Sequence, residues 1–287
     1  MARERLTHPT VPVHRVELSA GSGGADVRVE FARYGDGPSV LVLHGAGGGW
    51  DQGVDWARRR LPQGRDVIAV SRFGYLGSTL PVQATTSQQA TVYASLLDRL
   101  GLDRVDVAAV SAGSMTALRF AVEHRDRVRR LVLESPMLPT RRPVRLPPAG
   151  VYRVAAVAEP LLWALTRSPV LTRLAAGVPR RALDTAAGTE LAEINATTFP
   201  LQPRVAGAVF DRAVAAVELY RNELSVETLT APTLVVNATH AVLTPHDDAA
   251  AFVARLPDGR LVDIPTGGHV LIGNVERLRQ LMADFLT

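Results

Sequence analysis

The 287 residues are 47% apolar and 21% charged, the balance of a globular chain that buries a large core and not of a disordered one. All 32 basic side chains are arginine, scattered along the chain, and the net charge is only +4, which argues against a nucleic-acid-binding surface. With no cysteine, disulfides, thiolate catalysis and Cys-ligated metal sites are excluded.

Residues 1–18 carry charge but no apolar run of signal-peptide length, and no segment approaches the roughly 18 apolar residues of a membrane span. A cytoplasmic protein is therefore expected. The length suits one α/β domain carrying an insertion. Strand-like runs fall at 13–18, 26–34, 39–43, 66–71, 105–110, 130–134, 232–236 and 260–264. The first two alternate apolar and polar residues across a Gly-rich linker, 19–24, and read as an antiparallel hairpin at a sheet edge. Later runs, such as Val40 to Leu43 and Leu131 to Leu133, are continuously apolar, as strands buried on both faces of a parallel sheet are. Helical patterns separate them at about 52–61, 86–100, 114–124, 247–256 and 274–286. The alternation predicts an α/β fold with a mostly parallel eight-stranded sheet flanked by helices.

Residues 137–228 break that alternation. They open on a Pro-rich stretch and continue with helical patterns around 155–165 and 205–220, which predicts a helical insertion between the sixth and seventh strands. The core is then 1–136 with 229–287. The insertion's Leu161, Leu162, Trp163, Leu165, Phe199 and Phe210 either line a pocket or make up its own core.

Chemistry concentrates where the fifth strand meets a helix. Ser111 lies there with Ala109 two residues before and Gly113 two after. A sharp strand–turn–helix needs small residues at those positions so that strand and helix can approach. It holds the serine oxygen clear of the sheet, beside a helix N-terminus that favours developing negative charge. The blander reading is a serine that only caps a helix. The segment from His44 to Gly49 is Gly-rich but lacks the Gly-Lys-Ser/Thr ending of a phosphate loop.

Four pieces in register resemble the α/β-hydrolase superfamily, over nearly the whole chain. They are His44-Gly45-Ala46-Gly47-Gly48 after the third strand, the Ser111 turn, Pro265 to His269 after the eighth strand, and Arg72 to Ser78 after the fourth. The last is assigned no catalytic role. The resemblance implies a serine hydrolase with a helical cap and no cofactor. It would act on an ester, thioester, lactone or activated C–C bond of a small apolar molecule. Ser111 is the implied nucleophile, His269 the base, and the backbone N–H groups of Ala46 and Ala112 the oxyanion donors. A serine, not an aspartate, at the nucleophile position argues against a dehalogenase or an epoxide hydrolase. The remaining histidines read as structural or surface residues, and no spacing suggests a metal.

The family's triad also needs a carboxylate, in the turn after the seventh strand, to fix the histidine tautomer and stabilise its charged form. That position falls on Ala241. His240 cannot substitute, because a second imidazole does not stabilise an imidazolium. Asp247 and Asp248 follow Thr244 and Pro245, a pattern that reads as a helix start with Thr244 as cap. Glu134, at the end of the sixth strand, is the alternative acid. The readings left open are an inactivated variant in which Ala241 replaces an aspartate, an acid relocated to Glu134 or to Asp247 or Asp248, and a hydrolase fold used for lyase- or cyclase-like catalysis or for ligand binding. Oligomeric state is not legible.

Overall fold

The computed structural model describes residues 10–19, 26–140, 146–166, 185–221, 224–241 and 243–287. The strands are β1 (Val13–Ser19), β2 (Asp26–Tyr34), β3 (Ser39–Leu43), β4 (Asp66–Val70), β5 (Val105–Val110), β6 (Val128–Glu134), β7 (Thr233–Ala238) and β8 (Gly259–Ile264). They form one sheet in the order β1-β2-β4-β3-β5-β6-β7-β8. The β1–β2 and β2–β4 pairs are antiparallel; the five others are parallel. The edge hairpin and the parallel interior are therefore as expected. The Gly-rich linker joining β1 to β2 lies outside the described residues.

Between the strands run α1 (Trp50–Arg60), α2 (Thr86–Arg99), α3 (Gly113–Glu123), α9 (His246–Val253) and α10 (Val275–Leu286). The continuous apolar strands supply two cores, one on each face, because successive side chains point to opposite sides. Leu41, Leu43, Leu131 and Leu133 pack with side chains of α2 and α3, including Tyr93, Leu97, Leu118 and Phe120. Val40, Val42, Val132 and Val236 pack with Val54 and Ala57 of α1 and with Leu278 and Met282 of α10. None of the described helices is long and apolar enough to cross a membrane.

The insertion contains α4 (Ala149–Val157), α5 (Glu159–Thr166), α6 (Thr185–Ala196), α7 (Val205–Phe210) and α8 (Ala216–Arg221). It departs from expectation in three ways. The pattern around 155–165 is two helices broken at Ala158, not one. The pattern at 205–220 is interrupted by a π-helical turn, Asp211–Ala215. Helix α6 was not anticipated, because alanines on its other faces blur its short apolar stripe. Thr244 does not cap α9. The helix begins at His246, and the Thr244 hydroxyl donates to the Pro136 carbonyl instead. Phe210 stacks edge-on against Phe73 within the main core, Phe199 is buried, and Leu161 faces solvent. The Leu165 side chain lies outside the described residues.

Two buried arginine–aspartate pairs fasten the insertion to the sheet domain. Arg204 reaches Asp51 of α1 through both terminal nitrogens, and Arg72 does the same to Asp211 of the π-helical turn. Tyr75 also donates to Asp211, at 2.6 Å. Backbone bonds run beside them, Gly207 N–H to Gly74 and Leu76 N–H to Pro203. The approach is close enough that a β-carbon on Gly207 would lie 2.1 Å from the Tyr75 ring. Breaking a buried pair leaves an uncompensated charge, which costs about 3–5 kcal/mol. Asp51→Ala is accordingly expected to lower unfolding free energy by about that amount, read from the urea midpoint at unchanged slope.

Candidate active site

The turn after β5 is built as the small residues demanded. Ser111 takes a left-handed backbone with φ 50°. A non-glycine residue there is strained, and such strain persists only where the surroundings fix it. Three donors converge on the Ser111 carbonyl, the Ser114 N–H and hydroxyl and the Met137 N–H, while the Ser111 N–H donates to the Glu134 carbonyl. Helix α3 starts at Gly113, where a β-carbon would sit 2.4 Å from the Leu43 carbonyl oxygen. Only glycine permits that approach.

His269 reaches this turn from the loop after β8. Its Nε2 lies 3.0 Å from Ser111 Oγ, hydrogen-bonding distance for proton transfer. Burial holds the His269 imidazole below its ordinary value of 6.5, since removal from water disfavours the charged ring. No carboxylate offsets that shift.

The glycine segment after β3 lies against the same turn: a β-carbon on Gly45 would be 3.4 Å from the Ser111 Cβ. His44 is fully buried. Its Nδ1 lies 2.7 Å from the Gly45 carbonyl and its Nε2 accepts the Arg72 N–H, so the ring is neutral with the proton on Nδ1. Burial first, then the Arg72 charge, hold its pKa well below 6.5. Arg72 also donates to the carbonyls of His44 and Gly45. The segment Arg72 to Ser78, given no catalytic role from sequence, thus shapes the loop bearing Ala46. Ala46 itself is exposed, Ala112 is buried at the head of α3, and among the described hydrogen bonds neither N–H is taken.

Ala241 sits in the turn after β7, half-buried, its N–H donating to Ala238, its side chain packed against the core beneath α10. A methyl group offers His269 nothing. His240 and Asp247 are exposed. Glu134 is buried, but its carboxylate accepts from Arg60, at 3.1 Å. Arg60 was not singled out in the sequence, where it ends a run of three arginines. Its helical phase was the available signal: Gly53, Ala57 and Arg60 share the buried face of α1. Among the described residues no cluster of three metal-binding side chains occurs.

A family model described as alpha/beta hydrolase fold matches residues 38–273. The 2-hydroxymuconate semialdehyde hydrolase of Pseudomonas putida is 28% identical over 289 residues, covering 96% of each chain. The 2-hydroxy-6-oxo-6-phenylhexa-2,4-dienoate hydrolase of Comamonas testosteroni is 30% identical across 39% of this chain and 41% of its own length. Among solved structures, an alpha/beta hydrolase fold protein from Nakamurella multipartita superposes with a TM-score of 0.71 at 26% identity, over 96% of this chain and 99% of that one.

The neutral imidazole is the form that accepts a proton, and burial extends its range downward. Any turnover that draws on His269 is expected to lose activity only below pH 6.5, with the acidic limb of kcat/KM lying under that value. A pH–rate profile checks it.

Proposed function

The chain belongs to the alpha/beta hydrolase fold family, and from that premise we propose that it is a serine hydrolase working through an acyl-enzyme. The observation that carries this is the 3.0 Å contact between His269 Nε2 and the strained Ser111. In the proposed reaction Ser111 Oγ attacks a carbonyl carbon and His269 takes its proton. The oxyanion draws on the N–H groups of Ala46 and Ala112, each worth roughly 10²–10³ in rate. Collapse expels the leaving group, which receives the proton from His269. A water, deprotonated by the same histidine, then frees the acyl group as an acid and restores Ser111. The chemistry calls for no cofactor, and its partner is a small molecule.

The substrate class is an ester, thioester, lactone or activated C–C bond on a mostly apolar compound. The relatives' names, hydrolases of a hydroxymuconate semialdehyde and of a hydroxy-oxo-dienoate, favour the activated C–C bond within that range. Residues 137–228 serve as a cap over a core of 1–136 and 229–287.

The acid position is read as vacant at Ala241. Glu134 is a poor replacement, because Arg60 holds its carboxylate and lowers its value as an acceptor for His269. Losing the acid's function costs about 10⁴ in kcat in triads of this kind. The second reading, a hydrolase fold without hydrolysis, rests on that same vacancy.

Turnover of p-nitrophenyl esters by the chain and by Ala241→Asp separates these readings. Ala241→Asp is expected to raise kcat by several orders of magnitude, toward the roughly 10⁴ the acid supplies. Fast turnover by the parent with no gain from Ala241→Asp would move the acid elsewhere, with Glu134→Gln as the next variant. Inertness of both across acyl chain lengths, and of Ser111 toward a fluorophosphonate, would favour the non-hydrolytic role.

A further inference from the structure

The loop that carries His269 is backbone under constraint. Gly267, Gly268, Leu271 and Gly273 all have positive φ, and Leu271 has no glycine's freedom to excuse it. A β-carbon on Gly267 would meet the Ile272 backbone at 2.4 Å, so the loop is folded tightly onto itself. Asn274 ties its two ends, donating to the carbonyls of Ile272 and Thr266. Two further ties come from outside the loop. Arg60 of α1 donates to the Val270 carbonyl at 3.2 Å, one residue past His269. Glu190 of insertion helix α6 accepts the Gly273 N–H at 2.8 Å. Ala187 and Leu191 of α6 pack on Ile272 and Val270 beside them.

The two outer ties belong to one charge group. Arg60 is ion-paired to Glu134 at 3.1 Å and to Glu190 at 3.7 Å, all three side chains being buried. At 3.7 Å the second pair is not a hydrogen bond, and Arg60 Nη1 and Glu190 Oε1 each lack a hydrogen-bond partner. Buried groups left so are rare and call for an explanation, since apolar residues of similar size would generally serve stability as well. The purpose visible in the geometry is the loop. Arg60 and Glu190 each give one further atom to the backbone of the His269 loop.

We propose that Arg60 and Glu190 are positioning residues for His269. They clamp its loop from the sheet side and from the insertion, and supply the orientation that a triad carboxylate would otherwise give. Glu134 acts one step back, as the counter-charge that lets Arg60 stay buried. The seating of α6 and the placement of the base are then one equilibrium: lifting the helix releases Gly273 and frees the loop. This inference rests on the serine-hydrolase reading for its catalytic consequence, but not for its structural content.

The test has two readouts, so that failure of the one is distinguishable from failure of the other. The first is the NMR titration of His269, assigned with His269→Gln. The second is the rate at which a fluorophosphonate labels Ser111. Three folded variants, matched by thermal midpoint, are compared with the parent. Glu190→Ala removes both the charge and the acceptor. Glu190→Gln removes the charge and keeps a carbonyl for the Gly273 N–H. Glu193→Ala removes the ion pair that α6 makes with Arg59 and leaves the Glu190 bond to the loop in place.

Ser111 contacts the His269 ring, Arg60 and Glu190 bond the loop, Glu134 lies behind Arg60, and Arg59, Glu193, Glu276 and Arg277 line the groove at its Gly273 end. Removing the Glu190 charge alone lowers the imidazole pKa or leaves it unchanged. Letting the loop open to water raises it, because burial is what depresses it. Glu190→Ala is therefore expected to move the His269 titration up toward 6.5 and to slow labelling by roughly 10- to 100-fold, the usual consequence of a base displaced by about 1 Å. Glu190→Gln is expected to recover most of the labelling rate without the upward shift. Glu193→Ala is expected to follow the parent. An unshifted titration in Glu190→Ala, or an equal effect from Glu193→Ala, overturns the proposal. A parent that never labels overturns the serine-hydrolase reading, while the titration still decides the clamp.

Discussion

The first turn of α3 lies against the end of β3 so closely that the Leu43 and His44 carbonyls occupy the space a side chain at position 113 would need. The rest of the site depends on that approach. It forces the turn between β5 and α3 to be sharp, and the sharp turn puts Ser111 at φ 50°. It also sets the head of α3, with Ala112 N–H unspent, next to the glycine segment that carries Ala46. A strained residue lasts only when its surroundings over-determine it. Here the over-determination is explicit: three donors on the Ser111 carbonyl, and one acceptor, Glu134 O, on its N–H.

The second layer of constraint is electrostatic and lies outside the reacting atoms. Arg72, fully buried, satisfies the His44 and Gly45 carbonyls on one side and Asp211 of the insertion on the other. Arg60 does the same between the histidine loop and two carboxylates. In each case an arginine fork spans a core element, an insertion element and a loop of the candidate site, a geometry that lysine's single ammonium would not reproduce. The insertion is fastened to both loops it overlies, and displacing it disturbs both. The two attachments differ in strength. Arg72–Asp211 is bidentate, with Tyr75 as a further donor, whereas Arg60–Glu190 is a loose pair at 3.7 Å. The attachment to the Ala46 segment is thus the tighter of the two ion pairs.

How much of this was legible in the sequence depends on the physics involved. The parallel interior could be read because Val40 to Leu43 and Leu131 to Leu133 must bury both faces, and only an apolar run does that. The Ser111 turn could be read because sterics restrict positions 109 and 113 to small residues. Helix α6 was missed because Ala186, Ala192 and Ala196 on its other faces blur the short stripe of Ala187, Leu191 and Ile194. The buried arginines were hidden for another reason. Arg58, Arg59 and Arg60 are chemically identical, and only helical phase sends the third inward. Its partners lie 74 and 130 residues away, a pairing that no local pattern encodes. Thr244 looked like a helix cap because Thr-Pro often is one, but a buried Pro136 carbonyl needed its hydroxyl more.

Glu134 shows why the vacant acid position and the buried clamp belong to one argument. A triad carboxylate does two things: it orients the imidazole and it stabilises the imidazolium. Orientation can be supplied by backbone contacts, and the loop of His269 has them on three sides. Charge stabilisation is not supplied here, because the buried carboxylates of Glu134 and Glu190 are paired with Arg60 and neither acts on the ring. The depressed pKa of His269, set by burial with no opposing charge, is the electrostatic signature of that division. As the proposed base, His269 is then well placed but without charge stabilisation. In the proposed reaction it would take the Ser111 proton only by forming an imidazolium with no carboxylate partner, the step an aspartate at position 241 would relieve.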